Sequence, residues 1–238
     1  MPALKRIGHK GADLIAPGNT LESFDAALAA GVDMVEFDVL PEHPDGSGRL
    51  VLAHDWTAAA QRPLLTLEDG LAHFAQDAWE GIELDVDLKT TGYEQRVVDA
   101  LRSFGLAERA LISTMEEQSL PVIRAAAPDI RLGWSVPKVR RNYLGNALTR
   151  VPALAAAQYG RAVLPTRAAR AIRAGRIDAI MSHWALVTPR LARTIEAAGG
   201  ELYVWTVDDA TRIAALHAIG VTGVITNDPR LFAPPATA

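Results

Sequence analysis

The chain has 238 residues, a formal net charge of −4 and no cysteine. This length fits one large domain or two small ones, and the lack of cysteine excludes disulfides, thiolate metal sites and cysteine nucleophiles. The mild acidity argues weakly against nucleic acid as a partner. No apolar stretch reaches the length of a signal peptide or the roughly 20 residues of a membrane span, so we expect a cytoplasmic protein without stable membrane insertion.

Short β-rich runs alternate with amphipathic helical runs along the chain. The predicted strands are 3–9, 32–40, 49–55, 81–89, 110–114, 130–136, 177–182, 201–207 and 221–227. The predicted helices are 20–31, 66–79, 93–105, 116–128, 188–200 and 209–220, and segment 141–175 is predicted as mostly helical with breaks near Pro152 and Pro165. Repeated strand–helix units predict parallel strands joined by helical crossovers.

Eight such units close a (β/α)8 TIM barrel, an α/β fold whose usual size is about 250 residues. We therefore predict a single barrel domain over residues 1–238, with an extra short β excursion, 49–55, after the second strand. The alternative is a doubly wound open sheet, which usually has a glycine-rich phosphate loop after its first strand. The stretch GHKGADLIAPGN at 8–19 does not fit such a loop.

Polar side chains are concentrated at the C-terminal ends of the predicted strands, where parallel barrels carry their catalytic groups. They are His9, Glu36, Asp38, His54, Asp55, Asp87, Lys89, Ser113, His183, Trp205, Thr206 and Asn227. Glu83 lies near the start of its predicted strand, so we expect it at the opposite end of the barrel in a structural role. We interpret His43, His73 and His217, in a turn or in helices, as surface or packing residues.

A few residues of this rim indicate its chemistry. Glu36 and Asp38 are two positions apart and therefore point into the barrel together, as do Asp87 and Lys89. Carboxylates buried together repel one another unless a cation compensates, and oxygen ligands suit Mg²⁺ or Ca²⁺. Two histidines beside such a cation suggest a general acid and a general base, and lysines suit a phosphate. The set indicates metal-assisted phosphodiester cleavage, although each residue taken singly also fits a structural role.

Seven motifs occur in the order typical of a known family. They are HKG at 9–11, GNT at 18–20, EFD at 36–38, HD at 54–55, LDVDLK at 84–89, VWTVDD at 204–209 and GVTGVITNDP at 220–229. The sequence thereby resembles the glycerophosphodiester phosphodiesterase family, whose motifs are H-R-G, E-N-T, E-x-D, H-D, L-N-I-E-I-K, V-W-T-V-N-D and G-V-D-G-I-I-T-D-x-P. The resemblance spans nearly the whole chain and implies a TIM barrel.

The resemblance also implies a role for each matched residue. His9 and His54 form the acid–base pair, and which is acid and which is base stays open. The divalent cation is held by Glu36, Asp38 and Asp87, and the substrate is bound by Lys10, Lys89 and Trp205. The implied reaction cleaves a small glycerophosphodiester, of the glycerophosphocholine or glycerophosphoethanolamine type, to sn-glycerol 3-phosphate and an alcohol. The nucleophile is either the glycerol 2-hydroxyl, with a cyclic phosphate intermediate, or water.

Three positions depart from the family pattern. Lys10 stands where the family has Arg, Gly18 where it has Glu, and Asp87 where it usually has Glu. Asp at that third position also resembles the spider-venom sphingomyelinase D branch, so a lysophospholipase D or sphingomyelinase D-like enzyme that forms cyclic phosphate is one alternative. A catalytically weakened barrel that only binds phosphodiesters is another. The short segments around His54 contain no large capping insert, so we expect an open site.

Overall fold

The computed structural model describes residues 3–61, 63–138 and 147–232. The strands are β1 (Lys5–Gly8), β2 (Met34–Pro41), β3 (Leu50–Leu52), β4 (Glu83–Leu88), β5 (Ala110–Thr114), β6 (Arg131–Val136), β7 (Ala179–His183), β8 (Glu201–Trp205) and β9 (Gly223–Thr226). The α-helices are α1 (Leu21–Ala29), α2 (Trp56–Ala59), α3 (Leu67–Phe74), α4 (Glu94–Ser103), α5 (Ser119–Ala126), α6 (Ala147–Arg173), α7 (Pro189–Glu196) and α8 (Ala210–Ala218).

Eight of these strands form a closed parallel ring. The order is β1, β2, β4, β5, β6, β7, β8 and β9, and β9 pairs again with β1. The remaining strand, β3, lies outside the ring and pairs antiparallel with the end of β2, where Val39 faces Leu52. Both the predicted (β/α)8 barrel and the predicted β excursion after the second strand are confirmed.

The apolar core lies mainly between the ring of strands and the helices. Val35, Phe37 and Val39 of β2 are fully buried there, and the Phe37 ring lies 5.2 Å from that of Phe74 and 6.0 Å from that of Phe24. Because strand side chains alternate, this packing turns the intervening Glu36 and Asp38 into the barrel interior, as the sequence predicts.

Several helices begin at a threonine that caps the first turn. The hydroxyl oxygens of Thr20, Thr66 and Thr188 accept hydrogen bonds from backbone N–H groups three residues ahead, at 3.2, 3.1 and 3.1 Å. Such caps satisfy N–H groups that a helix leaves unpaired and fix where it begins. They lie where the chain leaves the catalytic end of the barrel, so they also define the loops around the site.

The segment before β7 differs from the expectation. Residues 141–146 lie outside the described residues, and α6 then runs without a break from Ala147 to Arg173, through both Pro152 and Pro165. The predicted breaks are therefore wrong. Each proline removes one backbone N–H donor, but a helix of 27 residues that packs against α7 keeps enough other contacts to continue.

An ion-pair cluster closes the end of the barrel opposite the catalytic rim. Lys5 Nζ lies 2.6 Å from Glu83 Oε1, and Arg131 contacts Glu83 and also Glu201, at 3.4 Å. Glu83 thus has the structural position expected of it. Across the described parts of the chain, we find no helix both long and apolar enough to cross a membrane.

Candidate active site

A polar cavity of about 150 Å³ opens at the C-terminal ends of the strands. Its lining residues are His9, Glu36, His54, Asp85, Asp87, Lys89, Ser113, Met115, Ser135, Met181, Trp205, Thr206 and Ile225. The two histidines from distant parts of the sequence therefore share one cavity with the carboxylates of β2 and β4. The parallel register explains the meeting of the acids, since Glu36 lies opposite Asp85 and Asp38 opposite Asp87.

Three carboxylates converge at this cavity. One oxygen each from Glu36, Asp38 and Asp87 lies within 4.8 Å of the others. The ammonium of Lys89 joins two of them, 2.8 Å from Asp38 Oδ1 and 2.7 Å from Asp87 Oδ2. Asp85 lies on the same face of β4, one pleat deeper, and is buried as well.

Burial and mutual repulsion make the ionised form of most carboxyl groups in the cluster unfavourable. Burial, followed by the charges of Asp38, Asp85 and Asp87, raises the pKa of Glu36 well above its usual range. Burial also raises the pKa of Asp87, and it raises that of Asp85 to about 8. Burial acts in the same direction on Asp38, but the positive charge of Lys89 outweighs it and holds the Asp38 pKa below its usual range. One ammonium therefore does not neutralise four neighbouring carboxyl groups.

These residues fit a divalent cation. Asp87 Oδ1 and Asp85 Oδ1 are buried and have no hydrogen-bond partner among the described residues, and an unpaired buried carboxylate oxygen is costly. A set of convergent carboxylate oxygens with unmatched charge is the donor set that hard cations such as Mg²⁺ and Ca²⁺ prefer. The residues that could hold the ion are Glu36, Asp38 and Asp87.

Asn19 holds one of the three acids in place. Its Nδ2 donates to Asp38 Oδ2 at 2.8 Å, and its Oδ1 accepts from the Asp38 backbone N–H at 3.1 Å. The backbone φ of Asn19 is 59°, a left-handed conformation that Asn tolerates better than most residues. Asn19 is not among the residues for which the sequence predicts a role, although it lies within the GNT motif.

A hydrogen-bond chain fixes the orientation of His9. Asn227 Nδ2 donates to Asp208 Oδ2 at 2.7 Å, which turns Asn227 Oδ1 toward His9 Nδ1, 2.5 Å away. His9 Nδ1 therefore carries the proton in this contact, and Nε2 faces the acidic cluster, 3.8 Å from Glu36 Oε2. Burial, reinforced by the charge of Lys10, lowers the pKa of His9 to about 4, so the ring is neutral near pH 7.

The other histidine, His54, is more open to solvent. Its side chain is 54% exposed, and its Nδ1 lies 3.1 Å from Asp55 Oδ2. Asp55 Oδ1 in turn accepts the N–H of Ala58 at 2.8 Å and so caps α2. The predicted strand 49–55 therefore ends earlier than expected, at Leu52, and a helix cap presents His54 to the cavity.

Two of the positions that depart from the family pattern, Lys10 and Gly18, contact the same carboxylate in this structure. The Asp13 carboxylate accepts from Lys10 Nζ at 3.0 Å and from the Gly18 backbone N–H at 2.7 Å. A Cβ on Gly18 would lie 2.5 Å from Asp13 Oδ1 and 2.7 Å from Lys10 Cβ, so a longer residue there would displace this pair. Lys10 reaches the cluster through its backbone instead, because its N–H donates to Glu36 Oε2 at 2.8 Å.

An aromatic side chain contributes to one wall of the cavity. Trp205 lines it, and the indole N–H donates to the Met181 carbonyl at 2.9 Å. His183, which the sequence placed on the rim, packs edge-to-face against Trp205 with ring centroids 5.2 Å apart. His183 does not line the cavity itself, and neither do His43, His73 and His217.

The fold and the site together define a class, the TIM-barrel enzymes whose active site combines clustered carboxylates with histidines at the C-terminal rim. The model of the glycerophosphoryl diester phosphodiesterase family matches residues 9–59 and 59–231. The chain belongs to this family.

Individual relatives agree with the assignment along the whole length of the chain. A glycerophosphodiester phosphodiesterase from Caldanaerobacter subterraneus subsp. tengcongensis is 23% identical over 257 aligned positions, which cover 94% of this chain and 93% of the relative. The crystal structure of a glycerophosphodiester phosphodiesterase from Agrobacterium tumefaciens superposes with a TM-score of 0.67 at 19% identity, covering 97% and 99% of the two chains. An Oleispira antarctica phosphodiesterase, solved with the product sn-glycerol-3-phosphate, has a TM-score of 0.66 at 21% identity, with 94% and 93% covered.

Proposed function

We propose that this enzyme hydrolyses small glycerophosphodiesters to sn-glycerol 3-phosphate and an alcohol, with a divalent cation at the carboxylate cluster. The observation that carries the proposal is that the cluster of Glu36, Asp38 and Asp87 borders the cavity that His9 and His54 line. The glycerol phosphate found as product in the Oleispira antarctica neighbour supports the same substrate class.

The two histidines are proposed as the acid–base pair. Phosphodiester cleavage needs one proton removed from the nucleophile and one delivered to the leaving alcohol. His9 would take up and release a proton at Nε2, because Nδ1 is held by Asn227. His54, which is exposed at the cavity, can exchange protons with the substrate and with solvent. Kinetic measurements would show which histidine acts as the acid and which as the base.

The acidic residues and the lysines would position the phosphate. When bound by Glu36, Asp38 and Asp87, a divalent cation would draw negative charge from the phosphoryl oxygens and so stabilise the transition state. Lys89, whose ammonium is buried between Asp38 and Asp87, favours the ionised form of Asp38 and adds positive charge beside the proposed phosphate position. Trp205 would form a wall against the glycerol portion.

We propose Lys10 as a substrate contact through a different arrangement from that of the family arginine. Its ammonium is paired with Asp13 in this structure and would have to exchange that partner for a phosphate oxygen. A lysine is a point charge and lacks the planar fork with which arginine binds phosphate at two oxygens. The expected contribution of Lys10 is therefore charge and little orientation.

A panel of diesters followed by phosphorus NMR tests the proposal. The enzyme is incubated with glycerophosphocholine or glycerophosphoethanolamine and with Mg²⁺ or Ca²⁺, with and without a chelator. We expect sn-glycerol 3-phosphate as the final product, and loss of turnover both with the chelator and in His54→Ala. Activity that is indifferent to the chelator and survives His54→Ala would refute the proposal.

Phosphorus NMR and two further assays separate the alternatives. A cyclic phosphate that accumulates and persists favours a cyclising enzyme of the sphingomyelinase D type. Asp87 is the position at which this chain resembles that branch. Tight binding of diesters in calorimetry, with no turnover of any of them, favours a binding barrel. Release of choline from a lysophospholipid but not from glycerophosphocholine favours a lysophospholipase D.

A further inference from the structure

The helical layer of the barrel has an opening between α5 and α6. α5 packs against α4 and α6 against α7, and between them lies a groove of about 970 Å³. Its volume is several times that of the active-site cavity and lies within the usual range of small-molecule sites, about 300–1,000 Å³. The groove is formed by described residues of both helices and of β6.

The floor of the groove is apolar and includes an aromatic ring. Trp134 of β6 points outward into the helical layer and is 7% exposed. Leu120, Val163 and Ile177 contribute to the walls around it. The guanidinium of Arg167 covers the Trp134 ring, 5.0 Å from its centroid. An apolar ligand group placed here would exchange water for these side chains.

The charged side chains that line the groove are mostly positive. Four arginines line it, Arg124, Arg167, Arg170 and Arg176, against one acidic residue, Glu117. Arg167 pairs with Glu117 at 3.2 Å, and Arg124 pairs with Asp178 at 2.5 Å. Among the side chains that the structure describes, Arg170 and Arg176 have no acidic partner. An anion would therefore meet two guanidinium groups whose hydrogen-bonding capacity is not already committed to a carboxylate.

One buried donor in the groove is unsatisfied. Arg124 uses Nη1 on the carbonyls of Pro128 and Ile130, at 3.2 and 3.4 Å, and Nη2 on Asp178. Its Nε is buried and has no hydrogen-bond partner in the described part of the chain. A buried N–H without an acceptor is unfavourable, and because this Nε has almost no accessible surface, a ligand oxygen would satisfy it only with a shift of the Arg124 side chain.

We propose that this groove is a second ligand site, one that binds an amphiphilic anion. The apolar part of the ligand packs against Trp134 and the aliphatic walls, and its phosphate or carboxylate group pairs with Arg170 or Arg176. The site is separate from the active site, because Trp134 faces the helices while the next residue, Ser135, faces the catalytic cavity from the other side of β6. A concave site with a single aromatic floor favours a small molecule over a flat protein partner.

Calorimetry with short amphiphiles below their micellar concentration tests the proposal. Decyl phosphate and decanoate carry the two candidate anionic groups, while decyltrimethylammonium has the same chain with a positive charge. Saturating sn-glycerol 3-phosphate is present throughout, so that binding at the catalytic cavity does not contribute. We expect one molecule of decyl phosphate or decanoate per chain and no binding of the cationic probe. This result does not depend on whether the enzyme turns over any diester.

A matched pair of double variants locates the site. Arg170→Ala/Arg176→Ala should weaken decyl phosphate binding by about tenfold or more, because charge-assisted hydrogen bonds to phosphate are lost. The control Arg190→Ala/Arg193→Ala removes the same charge from exposed arginines of α7 and should leave the affinity unchanged. Trp134→Phe should abolish the change in tryptophan fluorescence on binding while the protein stays folded by circular dichroism.

Several results would overturn the proposal. Binding of the cationic probe as tight as that of decyl phosphate would remove the role of the arginines. Equal binding of inorganic phosphate would remove the role of the apolar floor. An equal loss of affinity for decyl phosphate in both double variants would show that the total charge of the protein, and not the groove, determines binding. No binding of either anionic probe would also refute it and would leave the groove to a macromolecular partner.

Discussion

Replacing Lys89 with Met should unbalance the carboxylate cluster and make the protein depend on a cation for stability. The Lys89 ammonium lies 2.8 Å from Asp38 and 2.7 Å from Asp87, with only 15% of the side chain exposed. Methionine keeps much of the aliphatic stem but removes the charge. Asp38, which is fully buried, would then lack its nearest positive partner.

The size of the effect follows from burial. Removal of one partner from a buried ion pair destabilises a protein by about 3–5 kcal/mol, because the other charge is left uncompensated. For a chain of this size, 1 kcal/mol shifts the melting temperature by about 2–4 °C, so the expected loss in chelator is at least about 6 °C. A divalent cation at 100 times its dissociation constant returns about 2.7 kcal/mol, which is most of the smaller loss and about half of the larger.

Thermal unfolding with chelator or with Mg²⁺ or Ca²⁺ measures both parts. The control is Lys138→Met, which removes an exposed lysine paired with Glu116 and should change stability by less than about 1 kcal/mol. Lys89→Met should melt well below the wild type in chelator and should recover with the cation more than the wild type gains. A variant that melts like the wild type in chelator, or that does not respond to the cation, would refute the electrostatic account of the cluster.

Three further predictions concern single residues. Asn227→Ala should lower kcat by about 10–100-fold with little change in KM, since His9 loses its orienting partner; an unchanged kcat would contradict this role. Asp33→Asn should cost about 0.5–1 kcal/mol at pH 7, a small value because the side chain is 39% exposed. Burial raises the pKa of Asp33, but hydrogen bonds from Arg6 outweigh it and lower the pKa below 3.8, so the difference from wild type should disappear as the pH falls below that range in acid-unfolding curves. Phe37→Ala should lower the free energy of unfolding in urea by about 3–5 kcal/mol, and a loss under 1 kcal/mol would contradict its place in the core.

The architecture of the site could be predicted wherever it depends on strand periodicity. Alternation placed Glu36 and Asp38 on one face, and the rule that parallel strands end at a common rim placed them with Asp87 and the two histidines. Both predictions need only local sequence, because the barrel repeats the same unit. The cavity lining found in the structure contains His9 and His54 for this reason.

Contacts made by loops could not be predicted in the same way. The hydrogen bonds from Asn19 to Asp38 and from Asn227 to Asp208 join residues 19 apart, through loops whose path no periodicity describes. The pairing of Lys10 and Gly18 through Asp13 also depends on the fold of one loop, with Lys10 at a φ of 50°. The continuous course of α6 through two prolines depends on its packing against α7, which the local sequence does not show.

The central claim is that Glu36, Asp38 and Asp87 hold one divalent cation that hydrolysis requires. The most direct measurement is a titration of chelator-treated enzyme with Mg²⁺ or Ca²⁺, in which bound ion by calorimetry and hydrolysis of a glycerophosphodiester are followed together, for the wild type and for Asp87→Asn. The account predicts one ion per chain, activity that rises in step with its binding, and affinity reduced at least tenfold in the variant. Full activity without added cation, or the same cation affinity in Asp87→Asn, would contradict it.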